Sequence, residues 1–413
     1  MRRVITVIFL TLNMIWFISP TSVYAQPQVI ETSVDYVFGE SVTFKAIVES
    51  EFPIVSGKLF FQASNDTQTI LGTPEITQVD DTSYEFNYTY PISDYPLPAF
   101  SSIQYRYIVT LKDGDIVQFP WDSFEYQDNR FVWNELKESS FRVFWYEGDI
   151  EFAQRVLDTA QEGSNKIQNL LQLTLPTPLK IYVYPDGQTM QKALNPTSEN
   201  WVAGHADPDL GVIVVSLPQG PDQFLLMEQR VPHELMHIGL FEATNPGYQN
   251  LPTWLSEGLA SQAELYPNPD YRVMLELSVM NDSLLPMSNL CKSFPRDVSN
   301  ALLAYAQSDS FTRYLYSTYG ATGLEDLITN YANGLDCNNG ARAALGKNLG
   351  QLERNWRREI LNENVAATAF TNLSPWLLFM IIVLVAPLSL ALFGLRSSKA
   401  KKHDLAAVEN STT

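Results

Sequence analysis

From Gln26 to about Trp133, apolar and polar positions alternate in short runs such as SVTFKAIVES, SGKLFFQAS, SYEFNYTYPI and SIQYRYIVTLKDGDIVQFP. A period of two sends successive side chains to opposite faces, so each run predicts a strand with one buried face. Asp113-Gly114, between two such runs, is a hairpin-turn signal. Short strands rich in Val, Phe, Tyr and Thr, punctuated by Gly, Pro, Asn and Asp, predict an all-β sandwich over 26–133. Its expected architecture is of the immunoglobulin or fibronectin kind.

After Asn134 the period changes. FRVFWYEGD and LKIYVYPDG read as strands, while the segment between them puts Phe152, Val156, Ala160, Ile167, Leu170 and Leu171 at helical spacing. WVAGHADPDLGVIVVSL reads as two strands around a Pro-Asp turn, and from Pro221 onward helix-period segments dominate. Strands followed by helices predict an α+β domain, a small mixed sheet plus helices, over 138–364.

Both ends carry long apolar runs. MRRVITVIFLTLNMIWFISPTSVYAQ has two arginines, an apolar stretch and a small-residue cleavage signal, which predicts a secretory signal peptide over 1–25. No charged residue lies between Glu363 and Arg396. Within that interval 376–395 is almost wholly apolar, long enough to cross a hydrocarbon layer of about 30 Å as a helix. Arg396, Lys399, Lys401 and Lys402 follow at once, so the positive-inside rule predicts a cytoplasmic tail over 396–413. Residues 365–375 become a tether, and the expected protein is a cell-membrane one with its ectodomain outside.

Composition narrows the partners. The chain is 45% hydrophobic with a formal net charge of −19, and several of its basic residues sit in the two terminal segments. Such an acidic surface repels phosphate backbones, so nucleic-acid binding is not expected. Cys291 and Cys337 are the only cysteines. On the exported side an even pair is a disulfide candidate, with two buried thiols as the alternative.

The chemistry concentrates in VPHELMHIGLFEA, which holds two of the four histidines of the chain. Positions i and i+4 of a helix face the same way, so His233 and His237 can grip one metal ion, and Glu234 can reach a water on it. Catalytic zinc uses three protein ligands. A metzincin would require glycine at 240 and histidine at 243, where this chain has Leu240 and Ala243. The better third ligand is Glu257 in NLPTWLSEGLASQAEL, where Pro252 and Thr253 mark a helix start and put Glu257 one turn into a second helix. Glu264, further along, is a candidate to steady a ligand from behind.

VPHELMH followed by WLSEGLA resembles the gluzincin zinc metallopeptidases, in particular the peptidase MA-like domains of membrane-anchored or secreted bacterial proteins. The likeness takes in WVAGHADPDLGVIVV as a substrate-side edge strand and AYAQSDSFTRYLYSTYG as a later helix, over roughly 138–362. It implies one zinc ion on His233, His237 and Glu257, with Glu234 as general base. Gly204 and His205 would then lie on the substrate-binding strand, although His205 also reads as an ordinary surface or core histidine. The aminopeptidase branch carries Gly-x-Met-Glu-Asn where this chain has Gly204-His205-Ala206-Asp207, so an aminopeptidase is not implied. By the same likeness Tyr305, with Tyr314 behind it, is the candidate oxyanion donor, or else a packing tyrosine. The implied substrate is a peptide or protein. A non-catalytic surface protein, binding a protein or surface partner through its β-sandwich on a metal-stabilised scaffold, is the alternative. A zinc hydrolase of a non-peptide amide is not separable from the first reading by sequence.

Overall fold

The alternating runs form β1 (Gln28–Val37), β2 (Ser41–Glu49), β3 (Ile54–Ala63), β4 (Ile70–Gly72), β5 (Glu75–Gln78), β6 (Ser83–Pro91), β7 (Ser101–Leu111), β8 (Ile116–Gln118) and β9 (Asp122–Tyr126). These ranges come from a computed structural model that describes residues 26–64, 66–93, 95–194, 204–362 and 373–385. The strands pair antiparallel into two sheets, ordered β1-β2-β6-β5 and β4-β3-β7-β8, with β9 also on β7. Strand β2 carries the reason in its side chains: Val42, Phe44, Ala46 and Val48 are buried and alternate with partly or fully exposed neighbours. The two sheets meet through aromatics, the Phe44 ring centroid lying 4.9 Å from that of Phe61 and 5.4 Å from that of Tyr105. Such pairs add roughly 0.5–1.5 kcal/mol beyond their burial.

The chain divides into compact units between Val132 and Trp133. In the second unit, β10 (Asn134–Glu138), β11 (Phe141–Trp145), β12 (Leu179–Tyr184), β13 (Gly204–Asp207) and β14 (Val212–Ser216) form one sheet in the order β10-β11-β12-β14-β13. Its middle strands β11, β12 and β14 run parallel, and the edge strands β10 and β13 run antiparallel to their neighbours. Parallel strands covered on both faces carry continuous apolar runs, and β14, VIVVS, is buried throughout. This unit starts before residue 138, the expected boundary. Strand β10 pairs along its whole length with β11, and Trp133 packs edge-on against Tyr182 and Tyr184.

Helix α1 (Ile150–Leu171) crosses from β11 to the parallel β12, and the Asp149 carboxylate caps it by accepting from the Phe152 N–H at 2.8 Å. After α2 (Gly187–Leu194) and the edge strand come α3 (Gln223–Thr244), α4 (Thr253–Ala263), α5 (Pro269–Met280), α6 (Val298–Ala332), α7 (Cys337–Leu345) and α8 (Leu349–Glu359). Helix α6 breaks at Gly320, whose φ of 72° lies in the left-handed region. Helix α4 lies closely on α6 because Gly258 has no side chain. A Cβ there would stand 2.5 Å from the Ser308 carbonyl oxygen. Trp254 of α4 is fully buried, its ring 5.0 Å from that of Phe311 on α6. Cys291 and Cys337 are joined as a disulfide that ties the segment after α5 to the start of α7.

The expected signal peptide, residues 365–372 of the tether, residues 386–395 of the span and the tail lie outside the described residues. Residues 373–385 are helical and largely exposed. Among the described residues, no helix is long and apolar enough to cross a membrane.

Candidate active site

Two helices build the site. On α3, His233 and His237 share a face, and their ring centroids are 5.2 Å apart. Helix α4 starts at Thr253, with Pro252 as its N-cap residue, as its sequence predicts, and brings Glu257 opposite them. The Glu257 carboxylate oxygen Oε2 lies 3.3 Å from His233 Nε2 and 3.7 Å from His237 Nε2. One ligand atom from each of the three residues falls within 4.8 Å of the others, a grouping able to hold a metal ion.

Each of the two imidazoles also has a partner for its other nitrogen. His233 Nδ1 lies 3.1 Å from Glu264 Oε1. His237 Nδ1 lies 3.2 Å from both the Tyr248 hydroxyl and Ser256 Oγ. Such contacts fix ring orientation and tautomer, which leaves Nε2 able to face a metal ion. Glu264 follows the last residue of α4, and its own backbone carbonyl accepts from Lys166 Nζ on α1.

Pro232, just before the first histidine, does not interrupt α3. It lacks an N–H, so the carbonyl of Glu228 has no helical partner at that position. The Leu265 N–H donates to that carbonyl instead, at 2.9 Å. The missing donor thus becomes a tie that secures the backbone beside Glu264. On the other side Pro232 meets Gly163 of α1, where a Cβ would stand 2.8 Å from the proline ring.

Burial and charge set the protonation of the cluster. Burial alone would raise the Glu257 carboxyl, but the charges and hydrogen bonds of His237 and His233 pull it well below the usual carboxylate range. Burial would likewise lower His233, yet the hydrogen bonds it makes to the Glu257 and Glu264 carboxylates hold it well above an ordinary histidine. Glu234, buried and pointing toward the edge strand, is raised by its burial and only partly pulled back by His233 and His237.

The remaining predicted residues fall unequally around this centre. Gly204 stands against Glu234: a Cβ built on it would be 2.3 Å from Glu234 Oε1. His205 lies next on β13, with its side chain exposed. Tyr305 of α6 lines a cavity together with His233, Glu234 and Gly204, its ring centroid 6.4 Å from that of His233, and burial keeps its hydroxyl protonated. Tyr314 lies instead in the helical core, stacked on Phe311. Sequence reasoning missed Tyr248 and Ser256. Ser256 carried a signal, being adjacent to Glu257; Tyr248 reaches the site from a short 3-10 turn, Tyr248–Asn250, with no periodic pattern to announce it.

No curated protein sequence matches the chain. Among solved structures, an aminopeptidase N family protein from Idiomarina loihiensis is matched with a TM-score of 0.33 and 8% identity, over 81% of this chain and 73% of that one. A purple acid phosphatase from yellow lupin, Lupinus luteus, is matched at 0.21 and 9% identity, over 47% of this chain and 35% of its own. A myokine structure is matched at 0.19 and 9% identity, over 24% of this chain and 95% of that one. Residues 159–362 match the family model of the peptidase MA superfamily, a stretch that runs from α1 to just past α8 and contains every residue of the cluster. That part of the chain belongs to the peptidase MA superfamily.

Proposed function

We propose that this chain is a zinc-dependent metallopeptidase of the gluzincin kind, hydrolysing peptide bonds with Glu234 as general base and held outward from the membrane by 376–395. The observation that carries the reading is the convergence of His233, His237 and Glu257 from two helices, with Glu234 beside them. Two imidazole nitrogens and one carboxylate oxygen make a donor set that catalytic zinc uses while keeping a position open. The hydrogen-bonded Nδ1 atoms fit the same purpose. When bound, the ion supplies polarisation of the scissile carbonyl and a water whose pKa falls toward about 7.

The chain's own residues then do the proton work. Glu234 takes the proton of the attacking water on a carboxylate oxygen and hands it to the leaving amine, and its raised pKa favours the first of these transfers. Tyr305 is the donor assigned to the developing oxyanion, since its hydroxyl stays protonated beside the ligands. Tyr248, Ser256 and Glu264 orient the imidazoles.

Replacement of the base tests this assignment. Glu234→Gln should keep the zinc content of the purified chain and lose roughly 10²–10⁴-fold in turnover of a casein-like substrate. Turnover equal to wild type would refute Glu234 as the base.

A further inference from the structure

Beside His233 and Glu234 opens a cavity of about 380 Å³, a size suited to a substrate side chain or a chain end. Leu226, Ala301 and Leu302 supply apolar wall, and Arg230 is the only lysine or arginine among its described lining residues. Arg230 precedes Glu234 by one helical turn, so both lie on the same face of α3. Its Nη1 donates to the carbonyl and to Oγ of Ser216 at the end of β14, the latter at 3.0 Å. That is the whole of its bonding among the described residues: no carboxylate there forms an ion pair with it. The charge of Glu234 reaches the guanidinium from beyond ion-pair distance, and the other carboxylate lining the cavity, Glu264, is engaged by His233.

A half-buried guanidinium stays charged and is costly to keep without a counter-charge. Nη1 is anchored, so the side chain is held in place, and its remaining N–H groups match the two oxygens of a carboxylate. In a chain of net charge −19 this cation is a local point of attraction for an anion. We propose that Arg230 anchors a carboxylate of the substrate, so that the enzyme prefers peptides bearing a carboxylate on a residue next to the scissile bond. This rests on the peptidase reading above and names its substrate class.

The test uses zinc-loaded full-length protein and matched synthetic peptides with mass-spectrometric mapping of cleavage. One arm compares internal Asp or Glu with Asn or Gln in peptides blocked at both ends. A second compares a free C-terminal carboxylate with its amide. The expected result is kcat/KM at least about tenfold higher for the acid in one arm, which identifies the carboxylate as a side chain or a chain terminus. In Arg230→Gln that ratio should fall to near one, and in Arg230→Lys part of it should remain. Equal cleavage of acid and amide forms by the wild-type protein in both arms overturns the proposal without any variant, as does a ratio that survives Arg230→Gln. Absence of any cleavage that Glu234→Gln abolishes would instead overturn the peptidase reading, and the proposal with it.

Discussion

Glu234 and Gly204 meet so closely that a single added methyl group between them has a defined consequence. The alanine Cβ would stand 2.3 Å from a Glu234 carboxylate oxygen, and the end of that side chain is what would move. Gly204→Ala should therefore leave zinc content and melting temperature near wild type while lowering kcat by about tenfold or more, because a misplaced base is a misplaced reacting group. Steady-state kinetics beside metal analysis would check this; an unchanged kcat would mean that the contact does not position the base. At this scale the grouping of His233, His237 and Glu257 was legible because helical spacing alone puts the two histidines on one face, and a helix start places Glu257. Arg230 and Tyr248 were not, because the first owes its meaning to Ser216 on a strand and the second to a turn. A periodic pattern says nothing of either.

Helix α3 illustrates how an element can be read correctly in kind and incompletely in purpose. A proline at 232, inside a helix-period segment, removes one backbone donor from the helix. In the structure α3 continues through the proline, and the carbonyl it frees is taken by Leu265. Pro232→Ala would restore a helical N–H to that carbonyl in competition with Leu265, loosening the backbone that carries Glu264 to His233. A loss of about tenfold in zinc affinity is expected, the lower end of the effect of removing such a supporting contact. Competition against a chromophoric chelator would measure it, and an affinity equal to wild type would show that Glu264 does not depend on this tie. The strands of the second unit were legible from their apolar runs. Their order was not, since β14 enters between β12 and β13 through pairings that no local pattern encodes. The start of the sheet at β10 escaped for a similar reason: NELKE is polar and exposed at most positions, and only its pairing with β11 makes it a strand.

For the molecule as a whole, the residues of the candidate site all come from the part after Val132. The Cys291–Cys337 bridge closes a sequence separation of 46 residues within that part. Chain-entropy reasoning assigns such a link roughly 2–4 kcal/mol, so Cys337→Ser together with Cys291→Ser should lower unfolding free energy by about that amount in denaturant titration. Zinc stoichiometry should remain intact under native conditions, because neither cysteine touches the metal ligands. A double variant as stable as wild type would show that the bridge constrains the unfolded chain little.

The most direct test of the central claim is elemental analysis of the purified full-length chain after zinc loading and desalting, alongside Glu257→Gln. The account predicts about one zinc per wild-type chain and strongly depleted zinc in the variant, since one of three ligands is gone. A folded wild-type chain without zinc, or a Glu257→Gln chain that holds it as firmly, would contradict the site built here from α3 and α4.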